Sequence, residues 1–235
     1  TVWSSAMSVL AIRHGQASFG AENYDQLSER GARQSERLGT WLAQRMPRPQ
    51  RVLIGAMHRH RQTLEAILSG AELRADSLVP VEVDTRLNEF DHRAVVESFV
   101  RTNPDHPCAN AMQTGAAIQP RAVFQLLLDA LQAWARDALT DTPESWRDFA
   151  TRTHAVANEL ARDPGCDAWV ITSGGVLSQW AQQALDVPSV RSVELNLSIR
   201  NSAVCEFHPL GQRLRLGSWN SLPHLPIDDG LWTHF

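Results

Sequence analysis

Four short stretches place anion-handling side chains next to apolar runs: Ile12-Arg13-His14-Gly15-Gln16, MHRHRQT over 57–63, Leu87-Asn88-Glu89, and VITSGGV over 170–176. A permanently charged guanidinium fork at a strand end normally holds an anion, so Arg13 marks a candidate anion site, and Arg59 could bring a second fork to the same place. His14 stands between that cation and a glycine, and a neutral imidazole is a competent nucleophile near pH 7. Taken singly, His14 also reads as a satisfied structural histidine and Arg59 as a solvated surface arginine. VITSGGV is either a phosphate cradle or a tight strand-to-helix turn, and its residues alone do not decide between the two.

The elements that must position these groups alternate. SVLAI, SERGARQSERLGTWLAQRM, RVLIGAM and RQTLEAILSG read as strand, helix, strand, helix, which argues for parallel strands joined by helical crossovers. Leu38, Trp41, Leu42 and Met46 repeat at helical spacing, with Ser28 as a cap ahead of Glu29. PVEVDTRLNEF is expected to be a third strand running into a loop. Residues 91–141 change character and are expected to form a helical insertion, its apolar stripe made by Val123, Leu126, Leu127, Leu131 and Trp134. Thr142 before Pro143 is expected to start a helix whose face carries Trp146, Phe149, Thr153, Val156 and Leu160, with Pro164 and Gly165 as the stop. DAWVIT then reads as a buried strand, VLSQWAQQAL as a helix, and SAVCEFHP with QRLRLGSWN as a strand pair around Pro209, Leu210 and Gly211. The expected fold is α/β: one domain over 1–235, a three-layer α/β/α sandwich with a mostly parallel sheet. Ligands of such sheets gather beyond the carboxyl ends of the strands, where the four stretches fall.

With 235 residues, 43% of them hydrophobic and 20% charged, the chain can bury one substantial core. Its formal net charge of -4 and the lack of a lysine or arginine block argue against nucleic acid or an anionic membrane as partner. Cys108, Cys166 and Cys205 are odd in number and widely spread, which fits neither a disulfide framework nor a thiolate metal site and suits a reducing cytoplasm. Nor do His58, His60 and the scattered acids form a convincing ligand set, so no metal and no cofactor is expected. The start TVWSSAM lacks a signal-peptide pattern, and residues 1–6 read as an ill-defined extension before Met7. Among the 8 tryptophans, Trp3, Trp219 and Trp232 are candidates to border a cleft or a subunit contact, a homodimer being one reading.

In order, RHG after the first strand, LSERG, RHRQT after the second and LNE after the third resemble the histidine phosphatase superfamily, relatives of the metal-independent phosphoglycerate mutases. The resemblance implies a phosphoglycerate mutase-like fold, a phosphohistidine intermediate on His14, phosphate oxygens held by Arg13 and Arg59, and Glu89 as proton donor and later base. Members of that family place a second histidine after the late strand, where this chain has Ser173. Thr172 and Ser173 can still donate hydroxyl hydrogen bonds, and Gly174 and Gly175 can let backbone amides approach an anion. His60 and His92 are candidate stand-ins for the missing imidazole, Gln16 is a further candidate contact, and Asp91 could assist or replace Glu89. Gly20 stands where the mutases carry asparagine, and Phe90-Asp91 where they carry basic residues, so mutase activity is not expected. The expectation is a metal-independent phosphatase acting on a small phosphate ester or phosphorylated substrate; the alternative is a catalytically weak phosphate-binding or regulatory module.

Overall fold

Alternation along the first strand decides the layering. In β1 (Val9–Arg13), Val9 and Ala11 join one apolar cluster while Leu10 and Ile12 join another, so both faces of the strand are covered. The computed structural model describes residues 8–18, 25–46, 48–74, 79–117, 119–163, 165 and 167–234. The expectations placed on Trp3, Met7, Gly20, Pro164 and Cys166 lie outside these residues.

β1 continues into a 6-stranded sheet with β2 (Arg51–Ile54), β3 (Val81–Val83), β4 (Ala168–Thr172), β5 (Val204–Leu210) and β6 (Arg213–Ser221), ordered β3-β2-β4-β1-β5-β6. The first four strands run parallel, while β5 pairs antiparallel with β1, and β6 with β5. Register brings two chemical groups together: Arg13 pairs with Thr172, so the next residues, His14 and Ser173, leave adjacent strand ends side by side.

One face is covered by α1 (Glu29–Arg45) and α2 (His58–Gly70), whose Leu38, Leu42, Leu64, Ile67 and Leu68 pack on Leu10, Ile12, Val52, Ile54, Trp169 and Ile171. Ser28 caps α1 as expected, its side chain accepting from the Gly31 N–H. The other face carries α6 (Trp146–Ala161) and α7 (Gly174–Leu185), with α3 (His92–Thr102), α4 (Ala109–Thr114), α5 (Pro120–Ala135) and α8 (Ser189–Ser198) around them. Its core is aromatic: Trp134 lies tilted against Phe90 at 4.7 Å and meets Trp146 edge-on at 5.0 Å between ring centroids. The expected three-layer α/β architecture is therefore present. Among the described residues no helix is long and apolar enough to cross a membrane.

Several local expectations differ from the structure. Thr142 donates its hydroxyl to the Glu144 carbonyl within a loop, and α6 instead starts after Ser145, which accepts from the Asp148 N–H. The buried stripe of α5 is Leu126, Ala130, Leu131 and Trp134; Val123 is exposed and Leu127 only partly buried, because the helix rests on its neighbours along its C-terminal half. The third strand is only Val81–Val83, all three exposed at the sheet edge, and a 3-10 turn over Thr85–Leu87 follows it. Helix α8 was not anticipated: its mixture of Ser, Leu and Asn lacks a clean apolar period, and tertiary packing sets it.

Candidate active site

The imidazole of His14 is held in one tautomer by its own backbone. Nδ1 lies 2.7 Å from the Gly15 carbonyl, which can only accept, so Nδ1 carries the proton and Nε2 keeps its lone pair. The backbone is fixed on both sides: the His14 N–H donates to the Thr172 carbonyl of β4, and the His14 carbonyl accepts from the Ser202 N–H ahead of β5. His14 is only 5% exposed, so the ring is buried at the strand end. Burial, then the electrostatic effects of Arg59, Arg13 and His60, push its pKa well below the usual 6.5, against a smaller opposing effect from the Gly15 carbonyl. The ring is therefore neutral at pH 7, and both guanidiniums act on the same imidazole.

Each motif around it has a positional task. Arg13 closes β1 and donates through Nη1 to the Ile199 carbonyl at 2.5 Å. Arg59 enters from the first turn of α2, 4% exposed, with Nη1 3.1 Å from Asp25 Oδ1. Asp25 also accepts from the His58 N–H, tying the start of α2 to the loop before α1. The rest of RHRQT serves geometry: Gln62 accepts from the Leu27 N–H, and Thr63 accepts from the Gly15 N–H while donating to the Arg59 carbonyl. Thr63 thus couples the His14 loop to the helix that delivers Arg59. Sequence reasoning did not single out Asp25, Gln62 or Thr63; their polar side chains inside a motif next to His14 were the available signal.

Glu89 sits in the loop before α3, and its Oε2 accepts from the Gly175 N–H at 3.0 Å. A Cβ at Gly175 would overlap the Glu89 carboxylate, while one at Gly174 would lie 2.7 Å from Asn196 Oδ1 and 3.0 Å from Ile199 Cγ2. The glycine pair of VITSGGV is therefore there for close approach, on a strand-to-helix junction that also seats the Glu89 carboxylate. Arg152 of α6 steadies the Glu89 loop by donating to the Arg86 and Asn88 carbonyls at 2.8 Å each, its other edge paired with Glu144.

The remaining candidates divide by what they touch. Thr172 donates its hydroxyl to the Leu87 carbonyl at 2.7 Å, so that proton is committed to the fold and does not face an anion. Ser173 Oγ lies 2.8 Å from His60 Nε2, and the two rings His14 and His60 stand 5.7 Å apart. Gln16 Oε1 accepts from the Ser28 hydroxyl, joining the His14 loop to the cap of α1. Asp91 caps α3 by accepting from the Ala94 N–H, a structural task, and it is exposed. His92 is partly buried within the fields of Glu89 and Arg59; burial lowers its pKa, with Glu89 opposing. Among the described residues no group of three His, Cys, Asp or Glu side chains is placed to hold a metal ion. A groove of about 490 Å³ is lined by Phe124, Leu197, Trp232, Thr233 and His234, burial and then the charges of Arg200 and Arg13 lowering the His234 pKa.

Comparisons with known proteins agree with this fold. No curated protein sequence matches the chain significantly. Among solved structures, the mycobacterial glucosyl-3-phosphoglycerate phosphatase superposes with a TM-score of 0.61 at 20% identity, over 92% of this chain and 100% of that one. The alpha-ribazole phosphatase from Shigella flexneri gives 0.60 at 20% identity, over 92% and 97% of the two chains. A phosphoglycerate mutase from Bacillus anthracis gives 0.62 at 17% identity, over 93% and 95%. The model of the histidine phosphatase superfamily (branch 1) matches residues 9–104 and 114–222, and with the RHG, RHRQT and LNE motifs gathered at one strand-end site the chain belongs to that superfamily.

Proposed function

We propose that the protein is a metal-independent phosphomonoester hydrolase working through a phosphohistidine on His14. Supporting this reading above all is one observation: the proton of His14 is parked on Nδ1 against Gly15, which leaves Nε2 as a neutral nucleophile while Arg13 and Arg59 both act on that ring. Phosphoryl transfer runs through a loose transition state with charge on its equatorial oxygens, so positioned cations contribute most of what a protein can supply. In the first step Nε2 attacks phosphorus, the bond to the alcohol oxygen breaks, and Glu89 gives that oxygen a proton. In the second, Glu89 takes a proton from water, the resulting oxygen attacks phosphorus, and the N–P bond breaks to release phosphate and neutral His14. The Gly175 amide orients Glu89 for both steps.

The alternative, a module that binds a phosphoester without turning it over, draws on Ser173 standing where the family carries histidine. Incubation of the purified protein with p-nitrophenyl phosphate and excess EDTA separates the readings. Chelator-resistant release of nitrophenol is expected. Saturable binding of the ester with no release over hours would favour the binding module, and activity abolished by EDTA would overturn the metal-independent mechanism.

A further inference from the structure

The peptide group between Gly15 and Gln16 is engaged at both ends. Its carbonyl holds the His14 Nδ1 proton at 2.7 Å, and its N–H donates to Gln34 Oε1 at 2.8 Å. In a trans peptide these two groups point in opposite directions, so whatever anchors the N–H also aims the carbonyl.

Gln34 lies on α1 and is 0% exposed. The orientation of its amide is unambiguous: the Gln16 N–H can only donate and so meets Oε1, while the Leu231 carbonyl, 2.6 Å away, can only accept and so meets Nε2. Nε2 gives its second proton to Thr233 Oγ1 at 2.9 Å. This buried amide thus spends both protons on the C-terminal segment and its oxygen on the His14 loop.

Two glycines let α1 come this close. A Cβ at Gly31 would overlap the Gln16 carbonyl, and one at Gly15 would overlap the Gly31 carbonyl, so helix and loop touch backbone to backbone. Ser28, Gly31 and Gln34, three residues apart, all meet the loop, with the Ser28 N–H donating to the Gln16 carbonyl at 2.9 Å. The C-terminal segment leads back to the same histidine. Thr233 donates its hydroxyl to Asn201 Oδ1 and accepts from the Asn201 N–H through its carbonyl, and the next N–H, that of Ser202, donates to the His14 carbonyl.

We propose that Gln34 is a positioning residue for phosphoryl transfer: by fixing the Gly15–Gln16 peptide it keeps the His14 proton on Nδ1 and the Nε2 lone pair available, with Leu231 and Thr233 as its anchor. This rests on the phosphatase reading and extends it to a side chain that acts on His14 through the backbone. When Nε2 attacks, its lone pair becomes the N–P bond, the bond to the alcohol oxygen breaks, and the imidazole gains positive charge while Nδ1 keeps its proton. The Gly15 carbonyl then accepts from a stronger donor than the resting ring. A peptide polarised by Gln34 therefore stabilises the transition state more than the ground state.

Long-range proton–nitrogen NMR of histidine-labelled protein, run beside p-nitrophenyl phosphate kinetics, tests this role. The wild-type His14 ring, assigned by comparison with His14→Ala, should show the Nδ1–H tautomer. Gln34→Leu, which offers the Gln16 N–H no acceptor, should show mixed tautomers. Its kcat should fall by about 10- to 100-fold with a smaller change in KM, the loss typical when the partner behind a working imidazole is removed. Gln34→Glu, whose carboxylate still accepts from that N–H, should recover most of the rate and the Nδ1–H signal, yet melt below wild type because the Leu231 carbonyl loses its donor. If Gln34→Leu does not fold, Gln34→Met, unbranched and of similar length, takes its place with the same expectation. The proposal is overturned if the wild-type ring carries its proton on Nε2, if the apolar variant keeps both tautomer and rate, or if Gln34→Glu is as slow as the apolar variant. Wild-type protein without any turnover would overturn the phosphatase reading instead, a result distinct from active protein whose rate is indifferent to residue 34.

Discussion

The ends of β1 and β4 lie side by side and supply the site by opposite means. At the end of β1, Arg13 donates to the Ile199 carbonyl, and the Gly15 carbonyl holds the His14 Nδ1 proton and keeps Nε2 available. At the end of β4, Thr172 is committed to Leu87, Ser173 to His60, and the glycines are there so that Glu89, Asn196 and Ile199 can come close. Under the proposed function one end would react and the other fit, so substitutions at the first should damage chemistry and those at the second geometry.

The largest expected effect lies at the reacting end. His14→Ala removes the nucleophile and should lower kcat for an aryl phosphate by roughly 10⁴-fold or more while the folded structure persists, as circular dichroism would report. A residual rate within tenfold of wild type would break the contrast, since it would mean that the β1 end only binds. At the fitting end, Gly175→Ala adds a methyl where the Glu89 carboxylate sits. It should cost about 10- to 100-fold in kcat through displacement of the proton donor, with a smaller change in KM. An unaffected rate would show that Glu89 need not hold the Gly175 amide.

The smallest effect concerns stability in acid and sharpens the role of burial at both ends. His60 and His224 are each brought down to about 3, burial being the main cause, with Arg59 and Arg37 adding to it. His14 and His92 shift the same way. A histidine lowered on folding contributes stability that is complete above its unfolded value of 6.5 and is lost as pH falls toward the folded one. Going from pH 7.5 to pH 5 should therefore remove about 2 kcal/mol for each strongly shifted histidine, read as a lower midpoint in urea denaturation. An unchanged midpoint would contradict the buried, neutral state of these rings.

Much of the fold and the site was legible in the residue pattern alone. Period-two and period-3.6 patterns placed β1, β2, β4, α1 and α2, because each has a face that only a covered sheet or an amphipathic helix can bury, and Ser28 marked the start of α1. Arg13, His14 and Arg59 stood out because charge and imidazole at successive strand ends have few other uses, and Glu89 through the resemblance of LNE to the family's motif. What escaped was set by contacts distant in sequence. That His60 lies behind Ser173 depends on a 113-residue separation closed by the sheet and on the space at Gly55, neither visible locally. Likewise Ser145 displaces Thr142 as the start of α6 because the Thr142 hydroxyl is drawn to the Glu144 carbonyl, a short-range competition that propensity does not resolve. Thr172 looked like an anion donor in sequence and is a structural donor because Leu87 ends beneath it.

The central claim, that His14 Nε2 carries the phosphoryl group, is tested most directly by trapping it. Protein mixed with an aryl phosphate, quenched in alkali and digested without acid, should yield one phosphorylated peptide, containing His14, its label lost on acid treatment and absent from His14→Ala. Turnover with no such adduct, or with an acid-stable phosphate on Ser173, would contradict the account.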